Sequence, residues 1–97
     1  MGMDASARKY GVSFNWTGWS ELQRLLSEHG FKGKLPNSND GEMVSRRTAQ
    51  GVARAMLKFY DSKPLEDGKL PALSRHEAAC LAYALLLVTH DGRVKHF

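Results

Sequence analysis

From Ala78 to Val88 every side chain is apolar except that of Tyr83, and the uncharged run continues to His90. Ser74-Arg75-His76-Glu77 stands immediately before it. That tetrad is a capping box, in which the serine oxygen takes the amide three residues on and the glutamate reaches back to the serine amide. The pattern predicts a helix over 75–90, with Asp91-Gly92 as its stop. A bilayer needs about 20 apolar residues, so this run is too short to cross one. A helix apolar on all sides must lie at the centre of a fold or be covered further by a second subunit. With 97 residues in all, one core is what can be arranged around it.

Two more helices follow from their ends. Asn15 is a good N-cap, and Phe14 and Trp19 occupy the positions of a hydrophobic staple around it. Trp19, Leu22, Leu25 and Leu26 share one face, and Gly30 is a stop, so the first helix is expected over 15–29. Trp16 lies off that face, placed either to cover the preceding Tyr10–Phe14 segment or to meet a partner; aromatic bulk in a small domain favours packing. Ser45 caps a second helix over 46–60, with Ala49, Val52, Ala53, Met56, Leu57 and Tyr60 on its core face. Gly51 in its middle costs about 1 kcal/mol relative to alanine and suggests the close approach of another backbone. The connections are rich in turn formers, Pro36 to Gly41 in one and Asp67-Gly68 in the other. Residues 36–41 do not place oxygen ligands at the spacing of a calcium loop.

These elements make a mainly α, small α+β fold, with short strands near 11–14 and 93–97 that can pair. Residues 1–9 read as a flexible polar arm and 10–97 as a single compact domain. Met1-Gly2-x-x-x-Ser6 has the form of a myristoylation signal, but so short a motif is better accounted for by a start codon or a short remnant before a native Met3. No apolar leader is present, so the cytoplasm is the expected compartment.

Chemistry is sparse. His76-Glu77-x-x-Cys80 has part of the spacing of a zinc-protease helix, but no third ligand is marked and Glu77 is engaged in capping. Cys80, the one cysteine, sits in a core-like run unsuited to a reactive thiolate. No nucleotide-binding glycine loop or nucleophile elbow occurs. The expectation is a protein with no catalytic residue, no metal and no cofactor.

Fourteen Lys and Arg against ten Asp and Glu leave a net charge of +4. The excess is organised: Arg47, Arg54 and Lys58 fall within about 40° of one another on a helix, opposite the core face. Arg46 flanks them, and no acidic residue occurs between Val44 and Tyr60. Such a face could contact phosphates or an acidic protein, although a solvated outer face is charged in any case. The long interhelical loops do not make a helix-turn-helix. The candidate binding residues are Arg46, Arg47, Arg54, Lys58 and Trp16.

Trp16-x-x-Trp19-x-x-Leu22, Ser38-Asn39-Asp40-Gly41-Glu42-Met43-Val44-Ser45 and Ala49-x-x-Val52-Ala53-x-Ala55-Met56 together resemble small uncharacterised bacterial and phage proteins. Those proteins share a W-x-x-W helix and an S-N-D-G-x-x-V-[ST] turn. The likeness spans 14–60, implies a bacterial or phage origin and carries no activity. The first expectation is therefore a non-enzymatic protein-binding domain, in bacterial or phage–host interaction. The second is a nucleic-acid binder using the basic face of the second helix. No membrane partner is expected, and a homodimer through the apolar third helix is the remaining possibility.

The capping box makes a direct prediction. Ser74→Ala is expected to lower stability by about 1 kcal/mol, the ordinary cost of a lost cap, read as a lower thermal midpoint.

Overall fold

The computed structural model describes residues 2–38, 40–63 and 72–97. In chain order the elements are β1 (Gly2–Ala7), β2 (Tyr10–Asn15), α1 (Trp16–Glu28), α2 (Arg46–Asp61), α3 (Arg75–Thr89) and β3 (Lys95–His96). Among these described residues three helices pack with a three-stranded antiparallel sheet, a small α+β fold. Asn39 of the expected 36–41 turn and the Asp67-Gly68 reversal lie outside the described residues.

The expected arm is instead the middle of the sheet. β1 pairs with β2 on one side, from Gly2↔Asn15 to Ala7↔Tyr10, and with β3 on the other, through Ala5↔His96 and Ser6↔Lys95. The two expected strands therefore flank β1 and do not pair with each other. The physical reason lies in an alternation. Met3, Ala5 and Ala7 are buried against the helices, whereas Asp4 between them faces solvent. That is the period of a half-buried strand. Its apolar members include two alanines, whose small side chains carry little signal in a sequence.

The helices start where their caps place them. Asn15 Oδ1 accepts from the Gly18 amide at 2.6 Å, and the Phe14 and Trp19 rings of the staple lie 5.7 Å apart. Ser45 Oγ accepts from the Thr48 amide at 3.1 Å. Both halves of the Ser74–Glu77 box are present. The Ser74 amide holds the Glu77 carboxyl below its usual pKa, and Glu77 also pairs with Lys63, just beyond α2, at 3.1 Å.

On α2 the buried positions are Ala49, Val52, Ala55 and Met56. Leu57 points outward and is 60% exposed, so the core face is turned toward Ala55 from where the sequence places it. α3 buries Cys80, Tyr83, Ala84, Leu86 and Leu87, while Leu85 and Val88 remain exposed. Its all-round apolarity is thus only partly covered within the chain. The turn after α3 depends on Gly92: at φ 83°, a β-carbon there would stand 2.6 Å from the Val44 carbonyl oxygen.

At the centre lies a cluster of rings. Tyr83 meets Trp19 edge-on at 5.3 Å and Phe14 at 6.1 Å. The Trp19 indole N–H donates to the Pro36 carbonyl at 2.9 Å. His96, wholly buried, lies 2.7 Å from the Tyr83 hydroxyl through Nε2 and 2.8 Å from the Glu42 carbonyl through Nδ1. The carbonyl can only accept, so Nδ1 carries the proton and Nε2 accepts from the phenol. Burial lowers the His96 pKa against the raising influence of its Glu42 contacts, and burial pushes the Tyr83 phenol up.

A histidine kept neutral when folded loses stability as acid protonates its unfolded counterpart. The thermal midpoint is expected to fall as pH drops below about 6.5, the ordinary histidine value. His96→Gln should begin less stable at neutral pH and show a shallower decline across that window, as read from melts at a series of pH values.

Candidate functional site

The C-terminus of α1 builds one wall of a groove. Gly30 takes φ 94°, and the Gly30 and Phe31 amides return to the Ser27 and Leu26 carbonyls at 3.2 and 2.9 Å. This Schellman turn satisfies helix carbonyls that would otherwise lack partners. It also directs residues 31–33 toward α2, where the Phe31 ring lies over Gly51. A β-carbon at Gly51 would come within 3.2 Å of that ring, and one at Gly33 within 2.8 Å. The close approach implied by a mid-helix glycine is therefore that of an aromatic side chain and not of another backbone.

Between the 29–33 segment and α2 lies a cavity of about 340 Å³. Arg47, Arg54 and Lys58 line it from α2, Lys32 from the segment and His29 from the cap of α1, and no carboxylate is among the lining residues. The Lys58 ammonium lies 3.3 Å from where a Gly30 β-carbon would stand, so its charge reaches toward the opposite wall. The His29 ring is oriented by a 2.8 Å hydrogen bond from Nδ1–H to the Leu25 carbonyl and by the edge of Phe59 at 5.4 Å. Four cations converging on a concave surface without counter-charge focus a positive potential there. Chemically, the arrangement favours an anion.

The structure thus brings together Arg47, Arg54 and Lys58. It separates Arg46, which lies 3.6 Å from Asp91 in an exposed ion pair, a contact of small energetic weight. Trp16, in the first turn of α1, is 40% exposed and outside the groove. Lys32 and His29 were not legible as site residues. The available signal was the glycine-spaced basic stretch Gly30-Phe31-Lys32-Gly33-Lys34, but its position over α2 is a tertiary fact.

His76 and Cys80 do meet, with Nε2 3.5 Å from Sγ. Glu21 Oε2 approaches the same nitrogen at 3.8 Å. A thiol–imidazole–carboxylate relay needs the acid on the other ring nitrogen, so these three groups do not form one. Burial pushes the Cys80 thiol up to about 12, and the Glu77 and Glu21 charges add to the shift. Among the described residues no three His, Cys, Asp or Glu side chains are placed to hold a metal ion. No helix among those residues is long and apolar enough to cross a membrane.

No protein-family model, curated protein or solved structure matches this chain.

Cys80 gives this site's prediction. A thiol reagent is expected to label it slowly in the native protein at neutral pH and rapidly in denaturant. Fast native labelling would contradict both its burial and its raised pKa.

Proposed function

We propose that this protein binds nucleic acid through the groove between residues 29–33 and α2. The observation that carries the reading is the convergence of Lys32, Arg47, Arg54 and Lys58 on one concavity lined by no carboxylate. A merely solvated helix face would need cations from α2 alone. Here a second segment supplies Lys32 and is held in place by a glycine turn. Lys and Arg side chains so placed replace condensed counterions on phosphates, a contact that positions the backbone and does not read bases. The expected binding is therefore tolerant of sequence and steeply dependent on salt.

A protein partner, the first expectation from the sequence, is supported by a different feature. The outer flank of α3 carries Leu85 and Val88 at 59% and 44% exposure.

Fluorescence anisotropy with labelled DNA and RNA oligonucleotides, single- and double-stranded, tests the groove at several salt concentrations. On duplex DNA the affinity is expected to fall with a log–log slope of about −0.9 per phosphate contacted. Arg54→Ala and Lys32→Ala should each weaken binding to all sequences alike and reduce the slope by about one. Arg46→Ala, outside the groove, should leave it nearly unchanged. Absence of binding at low salt would refute the reading.

A further inference from the structure

An aromatic ring sits among the cations of the groove. Phe31 is half-buried and lines the same cavity as Lys32, Arg47, Arg54 and Lys58. Two glycines border it. Gly51 lies under the ring, where a β-carbon would stand 3.2 Å from both Cδ1 and Cε1. Gly33 passes the ring tip, where a β-carbon would stand 2.8 Å from Cζ and 3.0 Å from Cε1.

Neither glycine is required by its own backbone. Gly51 lies inside α2, where glycine weakens a helix relative to alanine. Gly33 is exposed and does not take a positive φ, so its conformation does not select for glycine. A ring that served only the core would gain from side chains laid over it at both positions. Instead Gly51 seats the ring against α2, and Gly33 leaves its tip bare in a cavity that no carboxylate lines. Among the described residues Lys32, Arg47, Arg54 and Lys58 form no ion pair.

We infer that the groove takes a single strand and that one of its bases stacks on Phe31, an inference that rests on the nucleic-acid reading above. Cations alone suit any polyanion, whereas a π face among them suits a ligand that carries bases as well as phosphates. Aromatic rings set in a cationic groove hold single strands with little regard to sequence, because every base has a face to stack. A duplex keeps those faces inside its own stack and offers the ring none without flipping a base out. The length of the cationic row favours a strand over a free nucleotide. From Arg47 to Lys58 it runs about 16 Å along α2, at about 1.5 Å of rise per residue. The cavity, about 340 Å³, is at the small end of pockets that hold one compact ligand. One base fills it, and the neighbouring phosphates follow the row.

Fluorescence anisotropy at a single moderate salt concentration tests this with a short oligothymidylate, an abasic strand of the same length and charge, and a duplex of that length. Thymidine monophosphate serves as a competitor. The oligothymidylate is expected to bind about tenfold tighter than the abasic strand, the weight of one stacked base, and tighter than the duplex. Phe31→Leu keeps an apolar side chain over α2 and loses the flat face. Gly33→Leu covers the ring tip and leaves the ring and every cation in place. Each should bring the oligothymidylate down to the abasic level with the abasic affinity unchanged, and Phe31→Tyr should bind like the wild type. Equal affinity of the wild type for oligothymidylate and abasic strand overturns the inference and leaves the phosphate-binding groove standing. A duplex bound as tightly as the single strand overturns it, as does a monophosphate that competes as strongly as the strand. So does a variant that weakens equally on the abasic strand, since the ring then only holds its segment in place. No binding of any probe at low salt overturns this inference and the groove reading together.

Discussion

His96 brings a polar ring into the core, and segments remote in sequence are tied to it. Its backbone joins β3 to β1, its Nδ1–H and amide both donate to the Glu42 carbonyl, and its Nε2 takes the Tyr83 hydroxyl from α3. A neutral imidazole buried without partners forfeits two hydrogen bonds to water, one at each ring nitrogen, so the partners must arrive together. This makes the end of the chain, the loop before α2 and the middle of α3 mutually dependent. Trp19 and Phe14 close around the same phenol, which extends the dependence to α1 and the hairpin. Among the described residues no buried side-chain nitrogen or oxygen is left without a hydrogen bond.

The surface divides according to what this centre leaves uncovered. With α2 turned so that Ala49, Val52, Ala55 and Met56 face inward, Arg47, Arg54 and Lys58 face the 29–33 segment. The Schellman turn at Gly30 then supplies the opposite wall, and Gly51 leaves space for the Phe31 ring above α2. α3 is used on one side only, leaving an apolar flank beside the open edge of β2. Cationic and apolar surfaces thus occupy separate linings.

The helices were legible because their boundaries are local chemistry. Asn15, Ser45 and Ser74 each satisfy amides within three residues, and such bonds need no knowledge of the rest of the fold. The sheet was only half legible. Val12 and Phe14 suggested a strand, whereas in β1 the alternation runs through Met3 and two alanines, Ala5 and Ala7, whose side chains are too small to stand out. The cationic face of α2 could be drawn from angular spacing alone. Lys32 and His29 could not be joined to it, because their distance from α2 is set by how α1 ends and not by any periodicity.

By itself, then, the sequence determined where helices begin and end, which face of α1 is apolar, and that α3 has more apolar surface than one small core can use. Each of these depends on interactions within about one to three helical turns. The tertiary structure decided that the first strand is central, that His96 is a buried hub, and that a basic segment after α1 faces the basic side of α2. Those outcomes rest on pairing and hydrogen bonding between residues such as Ala5 and His96, or Glu42 and His96, which lie far apart in the chain. Strand pairing and ring burial are satisfied only when the whole chain closes, so no local window contains them.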